Sequence, residues 1–203
     1  FLTVLAPPKS YNKAQNKRHK TTVDWTCQMI MQVRCWLPNR SIVLVGDGAY
    51  AAVKLVLCCI GFPTPVCLVS RLRQDAALYD FPPPDQTGKR GPKPKKGDKQ
   101  PSLLERINEP STIWNPLTIV WYDGIKRKLE IFSGISLWYT PGQDPVPIKW
   151  VVVRDPKGEL RTESFFATDL KATEKQILTW VILRWNIEVT FEELRTHLGF
   201  ETQ

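Results

Sequence analysis

The sequence predicts an α/β protein in which a mixed sheet is flanked by helices and a β-rich stretch stands before a long final helix. Three observations predict it. First, "SIVLVGD" (41–47) and "TPVCLVSRLR" (64–73) are apolar, β-branched runs on either side of a helical stretch from about Ala49 to Cys59. Strand–helix–strand order implies an α/β sheet. Second, "LTIVWYDG", "KRKLEIFSGISLWYT", "PIKWVVVRDP" and "ELRTESFFAT" follow as β-rich segments,. Third, Thr173 can cap a last helical region of about 25 residues, with Glu174 in its first turn.

Taken in order, residues 1–6 are β-rich and end at Pro7-Pro8,. Residues 11–20 are polar and basic. "TTVDWTCQMIMQVRCWL" then places Val23, Cys27, Ile30, Met31 and Arg34 at helical spacing, with Thr21 or Thr22 as cap and Asp24 in the first turn,. "SIVLVGD" reads as a fully buried central strand. Residues 80–101, rich in Pro, Gly and Lys, cannot bury a core and are expected as a mobile loop,. Asp123-Gly124 and Pro156-Lys157-Gly158 supply hairpin turns,. The expected units are 1–75, the first part of the core; 76–168, the basic loop and a β-rich insertion; and 169–203, the C-terminal helices. The absence of an initiating Met and of any tail after the last helix suggests a fragment of a longer chain.

Composition narrows the function. A hydrophobic fraction of 42% excludes global disorder, and 28 Lys and Arg against 20 acids give a net charge of +8,. That balance favours an anionic partner such as nucleic acid. The five cysteines lack CxxC or Cys/His metal spacing, so a reduced, cytoplasmic setting is expected,. The apolar run 51–60 contains Lys54 and is too short to span a bilayer,.

Two carboxylates stand out. Asp47 lies at the end of its strand between Gly46 and Gly48. Ligands in open α/β sheets sit at carboxyl ends of strands, and flanking glycines allow a phosphate or metal to approach. Gly-Asp-Gly is equally good turn chemistry. Glu188 follows Arg184 by four residues and precedes Arg195 by seven, so all three share one helix face,. A solvated ion-pair row worth about 0.3–0.5 kcal/mol is the simple reading. Against it, Trp185, Ile187 and Phe191 make the segment apolar on more than one side. A largely buried helix is therefore expected, and a charged row there needs a reason.

"VGDGAY" followed much later by "RWNIEVTFEELRTHLG" resembles the DDE-type insertion-sequence transposases, whose catalytic domain is ribonuclease H-like. The closer resemblance is to those with a Y-(2)-R-(3)-E-(6)-K signature and a β-rich insertion before the last acidic residue. Arg184 matches the signature Arg, Glu188 the catalytic Glu and Asp47 the second catalytic Asp. Arg195 stands in place of the Lys, which keeps the charge but changes the donor geometry. Val181 stands in place of the Tyr, removing a hydroxyl.

The resemblance implies two Mg²⁺ (or Mn²⁺) ions held by Asp47, Glu188 and a first Asp. It also implies cleavage of transposon ends and joining to target DNA by a homodimer. No Asp precedes Asp24, which falls in a predicted helix and makes a poor first Asp, so that residue is expected upstream of Phe1 and the fragment alone is expected to be inactive. If bacterial, the protein would be nucleoid-associated. Arg184 and Arg195 would hold the DNA backbone. The run Lys89, Arg90, Lys93, Lys95, Lys96, Lys99 reads as an arm on phosphates or as a solvated linker. Trp114, Trp121, Trp138 and Trp150 are expected mainly in the core, and His19 and His197, which lack a ligand pattern, as surface or capping residues. Two rival readings remain: a non-catalytic DNA-binding remnant, and an interaction protein whose Arg184–Glu188–Arg195 row is an ion-pair network.

Overall fold

The computed structural model describes residues 7–83, 93–122 and 124–199. The strand expected over residues 1–6 lies outside them, as do Asp123 of the predicted turn, Lys89 and Arg90. The first described elements are α1 (Lys9–Ala14) and α2 (Thr22–Trp36). Thr21 caps α2 through a reciprocal pair: its hydroxyl accepts from the Asp24 N–H at 3.2 Å and its N–H donates to Asp24 Oδ2 at 2.8 Å,. At the other end the buried Arg34 donates to the carbonyls of Leu37, Pro38 and Arg40, which fastens the segment after the helix back onto its last turn.

The sheet begins with β1 (Val43–Val45). The helix expected from Ala49 is instead a single 3₁₀ turn, Gly48–Tyr50, followed by α3 (Val53–Ile60), because Ala52 is extended and breaks the two apart. Then come β2 (Cys67–Arg71), β3 (Leu78–Tyr79), α4 (Leu103–Asn108), β4 (Asn115–Val120), β5 (Lys126–Trp138), β6 (Val146–Arg154), β7 (Glu163–Ala167) and α5 (Glu174–Leu198). Strand order is β1-β2-β7-β6-β5-β3, with β4 also pairing with β5. Among the described strands only β1 and β2 run parallel and the other pairings are antiparallel, so the sheet is mixed. The strands that stand between β2 and α5 in sequence extend the sheet in space, because β7 bonds directly to β2.

Alternation along the strands gives the sheet two apolar faces. One carries Leu68, Phe132, Trp150, Val152 and Phe166 and is covered by residues of α2, α3 and α4. The other carries Val69, Ile131, Val151 and Phe165 and is covered by Ile177, Leu178 and Val181 of α5. Trp121, Trp138 and Trp150 are buried, and Trp114 packs edge-on against Phe132 at 4.7 Å. Gly134 on β5 leaves room for its cross-strand partner: a Cβ there would stand 2.5 Å from Trp150 Cζ2.

Two expectations are corrected. The strand of "SIVLVGD" is half-buried rather than fully buried, and among the described strands β1 ends the sheet rather than standing in its centre. Among the described residues it pairs on one side only, and an apolar cavity of about 350 Å³ lies between it and α2. The final helix is not largely buried: beyond Val181, Trp185 is 40% and Phe191 48% exposed. The sheet ends beneath the first turns of α5; of the later apolar residues Trp185 reaches the Tyr122 ring, while Ile187, Val189 and Phe191 stay exposed.

The far end of the basic loop is fastened to the fold. Asp80 and residues 97–98 exchange backbone hydrogen bonds, and Tyr79 bridges to Lys99. Lys96 holds its ammonium 3.5 Å from the ring centre of Tyr79 and 3.7 Å from that of Tyr139, while Lys95 pairs with Asp144.

Candidate functional site

The parallel pairing of β1 with β2 sets their carboxyl ends side by side. Gly46 donates its N–H to the Val69 carbonyl at 3.0 Å, and a Cβ at Gly46 would meet Tyr50 Cβ at 2.9 Å, so the chain can pass here only without a side chain. Gly48 is less constrained, since a Cβ there would sit in ordinary contact with Arg71 at 3.9 Å. Between them Asp47 is held twice. Its carbonyl accepts from Ser70 Oγ at 2.6 Å, and its Oδ1 accepts from the Ala49 N–H at 2.8 Å. Oδ2 makes no hydrogen bond among the described residues.

The second wall is α5. The stripe Ile177–Val181 that packs on the sheet continues at helical spacing into Arg184 and Glu188,. Arg184 Nη1 forms an ion pair with Glu188 Oε1 at 2.6 Å, the i,i+4 pair the spacing predicts. With Asp47, Arg71 and Tyr122 these residues line one cavity of about 320 Å³, beside Val181. The structure thus brings Asp47, Arg184 and Glu188 together from two distant parts of the chain.

Arg71 and Tyr122 were missed by sequence reasoning. Arg71 had a usable signal, since it ends the strand parallel to that of Asp47. Tyr122 had none, because its place beside α5 follows from the sheet order. Its ring lies 5.3 Å from that of Trp185 and 4.9 Å from that of Trp121. Burial, aided by Glu163 and Glu188, raises its phenol pKa against the opposing pull of Arg184 and Arg71,. The hydroxyl is therefore a neutral donor at physiological pH.

Other expected site residues lie elsewhere. Arg195 is exposed and stands about 10.5 Å further along α5 than Glu188, outside the cavity lining,. Lys95 and Lys96 border a separate cavity of about 590 Å³ with Tyr139 and Asp144. Lys93 is described but lines neither wall of the Asp47 cavity. Asp24 is committed to its helix cap and to Lys54, which together hold its carboxyl well below the usual range. His19 meets Asn12 and His197 meets Glu193, both away from the cavity.

The donor set suits a hard cation in part. Asp47 and Glu188 offer carboxylate oxygens in one cavity, and Mg²⁺ is commonly held by one or two carboxylates together with water and phosphate,. Among the described residues no group of three or more His, Cys, Asp or Glu side chains could hold a metal ion. None of the described helices is long and apolar enough to cross a membrane.

No curated protein matches the chain. Residues 138–203, which include β6, β7 and all of α5 with Glu188, match the family model described as "Archaeal putative transposase ISC1217"; over that third of its length the chain is similar to a transposase family, and the resemblance to DDE-type insertion-sequence transposases stands.

Proposed function

We propose that this chain is the catalytic domain of a DNA transposase, ribonuclease H-like in fold, with Asp47 and Glu188 as carboxylates of a metal-dependent phosphodiester site. The observation that carries this reading is the single cavity lined by Asp47, Glu188, Arg184 and Arg71. In this reading residues 1–75 and 169–203 form the core and 76–168 the insertion, and two protomers act together on DNA. Arg195, Lys93, Lys95 and Lys96 add phosphate contacts outside the cavity, and Lys89 and Arg90 of the same basic run also contact phosphate.

Asp47 and Glu188 would hold a divalent cation, which when bound activates an attacking oxygen and offsets charge on a leaving one. The chain's own contribution is positioning. Arg184 and Arg71 present planar donors that match phosphate oxygens, and the Tyr122 hydroxyl adds a neutral donor,. In hydrolysis a water oxygen bonds to phosphorus as the P–O3′ bond breaks; the water gives up a proton and the 3′ oxygen takes one. In strand transfer the freed 3′-OH makes the same attack on target DNA and displaces the target's 3′ oxygen. Two carboxylates suit one ion, and bridging a second requires a further acid. The 203-residue chain is therefore expected to bind a cation without cleaving DNA.

Titration calorimetry with MnCl₂ tests the site. One ion should bind per chain, and Asp47→Asn and Glu188→Gln should each weaken binding at least about tenfold, or about 1.4 kcal/mol. Equal binding by both variants and the parent would sink the metal site. A chain that binds DNA but no Mn²⁺ would be the non-catalytic remnant.

A further inference from the structure

Arg71 lines two cavities. One is the Asp47–Glu188 cavity; the other, of about 490 Å³, continues past Arg71 along the start of β7 and the segment after β2. We propose that this second cavity is a groove for the sugar–phosphate backbone of a single DNA strand that enters or leaves the Asp47–Glu188 site, with Arg71 and Arg161 as its phosphate contacts. The proposal rests on the nucleic-acid reading of that site and adds a path to it.

The groove is built on fixed walls. Leu72 donates its N–H to the Ser164 carbonyl at 2.8 Å, and Gln74 donates its side-chain amide to the Thr162 carbonyl at 3.1 Å. These bonds hold the two segments at constant spacing. Its cations differ in readiness. Arg73 is engaged twice by Asp75, at 2.8 and 2.6 Å, and is largely neutralised. Arg71 uses one nitrogen on Glu163 at 2.6 Å, which leaves most of its guanidinium donors for a second acceptor,. Arg161 is exposed and makes no ion pair among the described residues. A guanidinium at each of two points along an open groove whose floor is partly apolar, with Leu72 and Leu104 in its lining, suits a repeating anion, and the volume suits a nucleotide or so of single strand rather than a duplex,. The net charge of +8 favours the same partner over an acidic protein patch of fixed shape,.

The test is fluorescence anisotropy with a short labelled single-stranded oligonucleotide of mixed sequence, titrated at several salt concentrations. Arg161→Gln should weaken binding about 3- to 10-fold and reduce the slope of log K against log salt by about 0.7, one phosphate contact on a single strand. Glu163→Gln, which releases Arg71, should tighten binding. Thermal melting of both variants confirms that they are folded. Parent-like affinity and slope in both variants, with the parent still binding, would overturn the groove and leave the Asp47–Glu188 reading in place. An oligonucleotide that fails to bind the parent would overturn the groove and the nucleic-acid reading together. Binding of Mn²⁺ by the same preparation then shows whether the metal site survives alone.

Discussion

Ser70 is the residue that fixes Asp47. Its hydroxyl is fully buried and donates 2.6 Å to the Asp47 carbonyl, so β2 decides where the carboxylate of the neighbouring strand sits. Ser70→Ala should cost about 1 kcal/mol of stability in urea unfolding. It should also weaken Mn²⁺ binding, because the Gly46–Gly48 segment loses its tie to the sheet while every cavity side chain remains. Unchanged Mn²⁺ affinity would show that the turn holds Asp47 without Ser70. At this scale the sequence was informative for particular residues. Asp47 between two glycines at a strand end and Glu188 four residues after Arg184 both carry local signatures. Arg71 has only its strand position to mark it, and Tyr122 has no local signature at all. Lys95 and Lys96 show the converse: a charge run reads as free cations, while folding supplies Asp144 and two tyrosine rings as partners.

Among the elements, α5 decides most. Its start is written in the sequence, where Thr173 and Gln176 form the reciprocal cap that a helix N-terminus needs,. Glu174 in the first turn pairs with Lys149 at 2.9 Å and accepts from Ser133 at 2.9 Å, fastening the helix to β6 and β5. Burial pushes the Glu174 carboxyl upward, but its backbone hydrogen bond, Lys149 and Ser133 outweigh this and hold its pKa below the ordinary glutamate value. A carboxyl lowered on folding stabilises above its unfolded pKa and loses that contribution as pH falls through the folded value. Glu174→Gln should therefore lower stability by roughly 0.5–1.5 kcal/mol at neutral pH. The gap should close as pH drops below about 4.5. Melting curves from pH 3 to pH 7 check this, and a gap of constant size would remove the carboxylate from the account. The far half of α5 is exposed although its apolar residues point to burial. Apolar spacing marks a face able to pack, and only the sheet's extent decides which turns have something to pack on.

On the scale of the whole molecule, the two apolar layers share one sheet, and residues of the same strands alternate between them. Neither layer can come apart without exposing the other. Urea unfolding followed by tryptophan fluorescence, which senses Trp150 and Trp138 in one layer and Trp121 in the other, should coincide with unfolding followed by far-ultraviolet circular dichroism,. Separate midpoints would mean that the layers are independent. The sequence by itself marked the strands β1 and β2, the β-rich stretch, the helix α5 with its cap, the alternation that gives the sheet two buried faces, and Asp47 and Glu188 as candidates; it did not mark α1 or α4, nor the break between Tyr50 and α3. The marked features depend on neighbours a few residues away. Only the tertiary structure decided that β1 ends the described sheet, that β7 docks on β2, and that Arg71 and Tyr122 join Asp47 and Glu188 in one cavity. Those outcomes depend on which strands pair across about 100 residues of chain, a choice made by the packing of whole faces and not by local propensity,.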